Sequence, residues 1–378
     1  CAFFGSEKCM NSLISLFPDG IRSKFFNTKD TQGRQPIHFA CMNGNLSILR
    51  LFYQEEFDFN VADNLGKKPC HYAAMSGNCD AIKYLWTKGI DVLKQDDGNG
   101  MTPFHIACKY GNIEIVKFLS ETVAKKGDLK FETIKKNYYY NKHISTPLHL
   151  ACESGCVDVV KYILNNKEMA RHLMKAVNSL SRRPIDCAIA KDNLECVKLL
   201  VQASKTNVIG YNRKNIPLID AVSIGSKDIV LFLLKQKNIQ IDVVDSCNRN
   251  ALSTAIDHNH LDIVKILFEN GIANKLDQNL INDAFYKAFS NEEILQYLDE
   301  KLEIPYKQME YRFMNRAISL ENKNLVIFLL NKNCTFNDIN TYGNFNNKWT
   351  PFMSFLKDNG FDFSHCKDLN RIPLIVRS

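Results

Sequence analysis

Four hexapeptides decide how this chain reads: Gln35-Pro36-Ile37-His38-Phe39-Ala40, Lys68-Pro69-Cys70-His71-Tyr72-Ala73, Thr102-Pro103-Phe104-His105-Ile106-Ala107 and Thr146-Pro147-Leu148-His149-Leu150-Ala151. Pro, His and Ala hold the same places in all four. Weaker copies follow at Arg183–Ala188, Ile216–Ala221 and Asn250–Ala255, with Ala251 in the proline slot. The slot recurs at positions 36, 69, 103, 147, 184, 217 and 251, so its spacing is 33 to 37 residues with one gap of 44. Eight residues after it stands a glycine in five units: Gly44, Gly77, Gly111, Gly155 and Gly225.

Each recurring position has a physical reason. Proline at the first position of a helix forfeits no hydrogen bond, and its fixed φ favours helix entry. Thr102 and Thr146, just before it, suit the N-cap. Alanine four residues on lets a neighbouring helix approach closely. The glycine ends a helix of about two turns, where a left-handed residue is needed. The stripes Ile113, Ile115, Val116, Leu119 and Val157, Val159, Val160, Ile163 each read as one apolar helix face. Asp30-Thr31-Gln32-Gly33, Asp63-Asn64-Leu65-Gly66 and Asp97-Gly98-Asn99-Gly100 suit tight hairpins between units. Every unit is therefore turn, short helix, turn, longer helix. Such a unit cannot bury its apolar face alone and must stack on the next.

These residues resemble the ankyrin-repeat family, whose T-P-L-H-x-A pattern and V-V/I-x-x-L-L helix they carry. The resemblance is sharpest from Asp30 to Leu200 and continues to Leu267. It implies an all-α solenoid of stacked helix-turn-helix units with short hairpin loops, about ten to eleven repeats in one domain over 1–378. Residues 1–29 read as a partial repeat or cap, 30–121 as well-formed repeats and 122–143 as an insertion. Repeats resume over 144–268, and 269–378 holds degenerate ones. There Asn282–Leu298 and Phe313–Leu330 keep a helix pair without the proline or glycine.

Composition narrows the function. The chain has 378 residues, 45% of them hydrophobic, and a mean hydropathy of -0.23. No run approaches the 18 or so apolar residues of a membrane-spanning helix. Pro (10) and Gly (17) are too scarce for a collagenous or low-complexity chain. A net charge of +7 is small for this length and does not by itself argue for nucleic acid. Thirteen cysteines with no C-x-x-C pair argue against a disulfide framework, so reduced thiols and a cytoplasmic location are expected, with the nucleus as the alternative.

The widest gap between prolines holds Thr122–His143, with Lys125, Lys126, Lys130, Lys135, Lys136, Lys142 and Tyr138-Tyr139-Tyr140. Two readings stand: an exposed finger for an acidic partner, nucleic acid or an anionic membrane, or a prolonged helix whose end the tyrosines cover. The histidines suggest ligands at first sight. His38, His71, His105 and His149 occur once per unit, however, and share no tetrahedral centre. The resemblance implies that they link neighbouring repeats by hydrogen bonds. Cys41, Cys108 and Cys152 follow the repeat alanine and read as small buried apolar residues. No G-x-S-x-G, H-E-x-x-H or phosphate loop occurs. Catalytic residues, metal ligands and cofactors are accordingly not expected.

What stacking does not dictate is the surface of the tips and inner helices. The resemblance implies that this concave face binds protein partners. Its candidate residues are Gln32, Arg34, Leu65, Lys67, Asn99 and Met101 on the tips, and Met42, Met75, Lys109, Tyr110 and Glu153 on the helices. A monomeric, non-enzymatic scaffold for a protein partner is the leading expectation, and nucleic acid is not the expected partner. The alternatives are binding through 122–143, or service as the repeat portion of a larger protein.

Overall fold

Prolines open the inner helices. These run Pro36–Asn43, Pro69–Ser76, Pro103–Tyr110, Pro147–Glu153, Pro184–Ala190 and Pro217–Ser223. The residue before each proline is held extended, as at Thr102 (φ -84, ψ 165), because the pyrrolidine ring disfavours helical backbone there. Ala251–Asp257 begins at the stand-in alanine, and Asn250 takes over the cap by accepting from the Ser253 N–H at 2.7 Å. Each inner helix is followed by an outer one: Leu46–Gln54, Cys79–Thr87, Ile113–Lys125, Val157–Asn165, Leu194–Ala203, Lys227–Leu234 and Leu261–Glu269.

The computed structural model describes residues 7–18, 24, 26–93, 97–125, 145–204, 216–237, 239–336 and 351–361. Among the described residues there are 21 α-helices, two short 3-10 turns and no strand. The fold is all-α. The hairpins expected between units are turns closed by two bonds, such as Asp63 N–H to Lys67 O and Gly66 N–H to Asp63 O, without a ladder.

The chain divides into two units, Cys1–Ile239 and Gln240–Ser378. In the first, six helix pairs stack in order behind the helix Glu7–Leu16, inner helix on inner helix and outer on outer. Of the stripes read from the sequence, Ile115, Val116, Leu119, Val159, Val160 and Ile163 are fully buried and Ile113 and Val157 half-buried, and Ile48, Leu49, Ile82 and Leu85 fill the same layer in earlier repeats. The repeat alanines Ala40, Ala73, Ala107 and Ala151 are fully buried as well, which lets the inner helices approach closely. An extra helix, Lys167–Leu173, interrupts the alternation. Asn166 caps it by accepting from Glu168 and Met169 N–H groups, and it buries Met169 and Leu173. It accounts for the 37-residue spacing between Pro147 and Pro184.

In the second unit Ala251–Asp257 packs on Gln278–Lys287, and Leu261–Glu269 on Glu292–Lys301. The pair Tyr306–Ser319 and Lys323–Asn331 follows. Here aromatic rings replace the compact stripe: Phe285 lies 5.7 Å from Phe289 and 5.4 Å from Phe313, and Tyr306 stands 5.6 Å from Phe285. Pro351–Asp358 is the last described helix and starts on its proline.

A left-handed residue follows the inner helix in eight repeats; the exception on the second unit is Gln278–Lys287, which runs into the 3-10 turn Ala288–Ser290 instead. Gly44, Gly77, Gly111, Gly155 and Gly225 have φ of 68 to 79. Where glycine is lost the backbone does not change: Asp192 (φ 54), Asn259 (φ 57) and Glu321 (φ 50) hold the same conformation. The slot therefore also marks the repeat containing Phe313 and Leu325, which lacks both glycine and proline.

Candidate functional site

The tips are shaped by one carboxylate each. Asp30 Oδ1 accepts from the Gln32 and Arg34 N–H groups at 2.9 and 2.8 Å. Asp63 does the same for Leu65 and Lys67, and Asp97 for Asn99 and Met101, all at 2.8 Å. Asn178 and Asp245 repeat the arrangement in later units. An Asx side chain that satisfies two turn N–H groups fixes which residues face solvent. Successive tips are then tied together, Asn64 N–H to Gln32 O and Gly98 N–H to Leu65 O, both at 2.9 Å.

The histidines belong to this scaffold. His71 Nδ1 accepts from the Lys68 N–H at 2.9 Å, so the proton sits on Nε2, which donates to Met101 O of the next repeat at 3.1 Å. His149 Nδ1 accepts from Thr146 N–H, and Nε2 donates to Arg182 O at 2.8 Å. Thr102 and Thr146 hold the N-cap position expected of them, and Thr102 accepts from the His105 N–H at 3.5 Å. Their hydroxyls lie 2.8 Å from the His105 and His149 Nδ1 atoms, and Thr146 gives no side-chain bond to its helix N–H groups. Burial pushes the His149 imidazole down to about 4 and lowers that of His38 too, so both stay neutral. At the other end of each inner helix, Asn78 donates to Asn43 O and Asn112 to Ala74 O across the repeat boundary.

The candidate residues divide by exposure. Gln32, Leu65, Asn99, Lys109 and Tyr110 are exposed. Arg34, Met42, Lys67, Met75, Met101 and Glu153 are half-buried. Arg34 is committed within its own tip: it pairs with Asp30 at 2.8 Å and covers the Phe39 ring at 4.6 Å. Glu153 Oε1 accepts from Ser145 Oγ and Cys187 Sγ. Met101 contributes its carbonyl to His71. Three exposed apolar residues occupy these same slots without having been singled out from the sequence. Leu180 (59% exposed) sits at the tip position of Leu65 (60%), and Ile224 (42%) at the helix-end position of Tyr110 (50%). In the second unit Leu320 (37%) holds that helix-end position. Their signal was the slot, seven residues past the proline or four before it. The segment 126–144 of the basic insertion lies outside the described residues; before it, the helix Ile113–Lys125 is 13 residues long against 9 for its neighbours.

Burial decides the chemistry of the thiols. It pushes Cys70 and Cys187 up to about 12 and Cys196 to about 11, with Cys41, Cys108 and Cys152 raised well above the usual range. Thiols held protonated in this way are poor nucleophiles and poor ligands. Among the described residues no group of three or more His, Cys, Asp or Glu is placed to hold a metal. His258 and His260 stack at 5.9 Å on the second unit as a pair. No described helix is long and apolar enough to cross a membrane.

Stacked helix pairs tied by histidine and asparagine at one period define a repeat protein of the ankyrin type. A family profile described as ankyrin repeats (3 copies) matches residues 1–96, 93–171, 124–210 and 185–282. The chain belongs to the ankyrin-repeat family. Among similar proteins, α-latrotoxin-Lg1a of Latrodectus geometricus is 31% identical over 208 residues, 53% of this chain and 14% of the toxin. The probable 26S proteasome regulatory subunit p28 of Saccharomyces cerevisiae is 27% identical over 177 residues, 47% of this chain and 70% of p28. The match thus spans a small part of the first relative and about two thirds of the second.

Proposed function

We propose that this chain is a non-enzymatic scaffold that holds a protein partner on the concave face made by its tips and inner-helix ends. The observation that carries the reading is the recurrence of exposed apolar side chains at two repeat slots, Leu65 and Leu180 on tips and Tyr110 and Ile224 at helix ends. The stack needs none of them for its own core. A rigid array presents such side chains with little ordering cost on binding, which is what an interaction surface requires. Ankyrin repeats serve protein–protein interaction, and p28 is by its name a subunit of an assembly.

Photo-crosslinking tests the face. A benzophenone amino acid at Tyr110 or Leu180 should give discrete protein adducts in cell extract, whereas one at Lys83 or Glu114 on the outer helices should give few. Equal adduct patterns from both sets would remove the assignment.

A further inference from the structure

The two faces of the first unit differ in how their cations are paired. On three outer helices a first-turn acid pairs with a lysine one turn on: Asp80 with Lys83 at 3.8 Å, Glu114 with Lys117 at 2.9 Å and Glu195 with Lys198 at 2.7 Å. Those pairs offset charge within their own helices. On the tips and inner-helix ends, Lys67, Lys109, Arg182 and Lys191 form no ion pair among the described residues, although Arg182 and both lysines of the helix ends are exposed. Most acids on that side are engaged: Asp30 pairs with Arg34, Asp63 and Asp97 are buried under turn N–H groups, Asp186 pairs with Arg183, and Glu153 holds Ser145 and Cys187, while Asp192 is exposed beside Lys191.

The unpaired cations also sit beside the exposed apolar residues, at the same register. Leu65-Gly66-Lys67 and Leu180-Ser181-Arg182 share one local geometry: an exposed leucine, a left-handed residue (φ 76 and 58) and a cation. Lys109 adjoins Tyr110. Apolar contact and positive charge are thus coupled in separate repeats, roughly 10 Å apart per helix layer.

We infer that the partner is an acidic protein segment that lays apolar side chains on Leu65, Tyr110 and Leu180 and sets carboxylates opposite Lys67, Lys109 and Arg182. The inference rests on the reading of the face given above and adds the chemistry of its occupant. Charges of one sign steer a complementary partner and reject like-charged ones, while the apolar anchors supply the desolvated contact. Nucleic acid fits less well. Tyr110 is the single ring among the three anchors, so successive bases have no row of rings to stack on, and a phosphate backbone is tracked by a continuous basic groove.

The test uses the full chain and a phage-displayed library of random 16-residue peptides, carried out beside a heparin column and a fluorescent oligo-uridine. Selected peptides should be rich in Asp, Glu and aliphatic residues, and their Kd should weaken about tenfold between 50 and 300 mM salt. In the Lys67→Glu/Arg182→Glu variant that selection should invert toward basic peptides, a gain that unfolding cannot produce. Neutral or basic peptides selected by the unaltered chain, crosslinking to Tyr110 and indifferent to the double variant, would overturn the acidic partner and leave the face standing. Peptides that crosslink only to the outer helices would overturn the face itself. Tighter binding of the oligo-uridine than of any peptide would overturn the inference in favour of nucleic acid.

Discussion

At the scale of single residues, the left-handed slot is the most exacting position in the repeat. An L-residue there costs about 1–2 kcal/mol, and glycine avoids this at an entropic cost of about 0.5–1 kcal/mol. Glu321, with φ 50 and neither Asn nor Asp chemistry, should therefore gain about 0.5 kcal/mol on substitution by Gly. Asn259→Gly and Asp192→Gly should be close to neutral, since those side chains tolerate the conformation. Gly77→Ala should lose about 1–2 kcal/mol, because its φ is 79 and the added Cβ would lie 2.8 Å from Asn112 Oδ1. Urea midpoints for the four variants check the order, and a destabilised Glu321→Gly would contradict it. His149 sets a second expectation. The folded ring takes up its proton only near pH 4, whereas the unfolded chain does so near 6.5. Acid therefore favours unfolding, and stability should fall by up to about 3 kcal/mol between pH 6.5 and 4. His149→Gln should flatten this limb in unfolding curves taken across that range.

At the scale of helices, the outer N-cap is the part most easily improved. Asn45, Asn78, Asn193, Ser226, Asn291 and Asn322 each accept from the helix N–H three residues on. Cys156 occupies the slot without a side-chain bond to its helix. Cys156→Asn should raise stability by about 1 kcal/mol, as measured by thermal or urea unfolding, with Oδ1 accepting from Val159 N–H. A loss of stability would show that the thiol is required against Gly111. Helix pairs were legible in the sequence because proline, glycine and the apolar stripe recur at one period, and they stay legible over Asn282–Leu298 after proline and glycine have gone. The helix Lys167–Leu173 was not, since it belongs to no period. Leu180 and Leu320 escaped for a related reason, whereas Ile224 lies between an intact Pro217 and Gly225 and was simply passed over. The landmarks that define the slots of Leu180 and Leu320 (glycine at 181 or a proline at 313) are replaced by Ser181 and Phe313, which keep the backbone and lose the letter. The two threonine caps were legible, whereas the contact of each hydroxyl with the histidine three residues on was not.

At the scale of the whole chain, the two units are joined internally by different forces. In the first, the ties between repeats are hydrogen bonds to neutral groups, among them His71 to Met101, His149 to Arg182 and Asn112 to Ala74. In the second they include the ion pairs Lys287–Asp257, Arg312–Asp283 and Lys332–Asp299, on side chains that are part-exposed. Salt screens such pairs and leaves buried hydrogen bonds nearly untouched. Hydrogen exchange followed by mass spectrometry should therefore accelerate over Gln278–Asn331 on going from 0.05 to about 1 M salt, while Pro69–Leu200 changes little. Uniform acceleration would contradict the division. The tie between tips carries a further consequence. Asn64 N–H to Gln32 O and Gly98 N–H to Leu65 O are the same bond one period apart, so these three successive tips offer one another interchangeable sockets. Excising residues 63–96 would join Ala62 to Asp97 and present Gly98 to Gln32 with the geometry that Asn64 now supplies. The repeat is in this sense a unit of heredity as well as of structure: chains that gain or lose whole periods remain foldable, and the length of the binding surface can change without redesign of any contact within it.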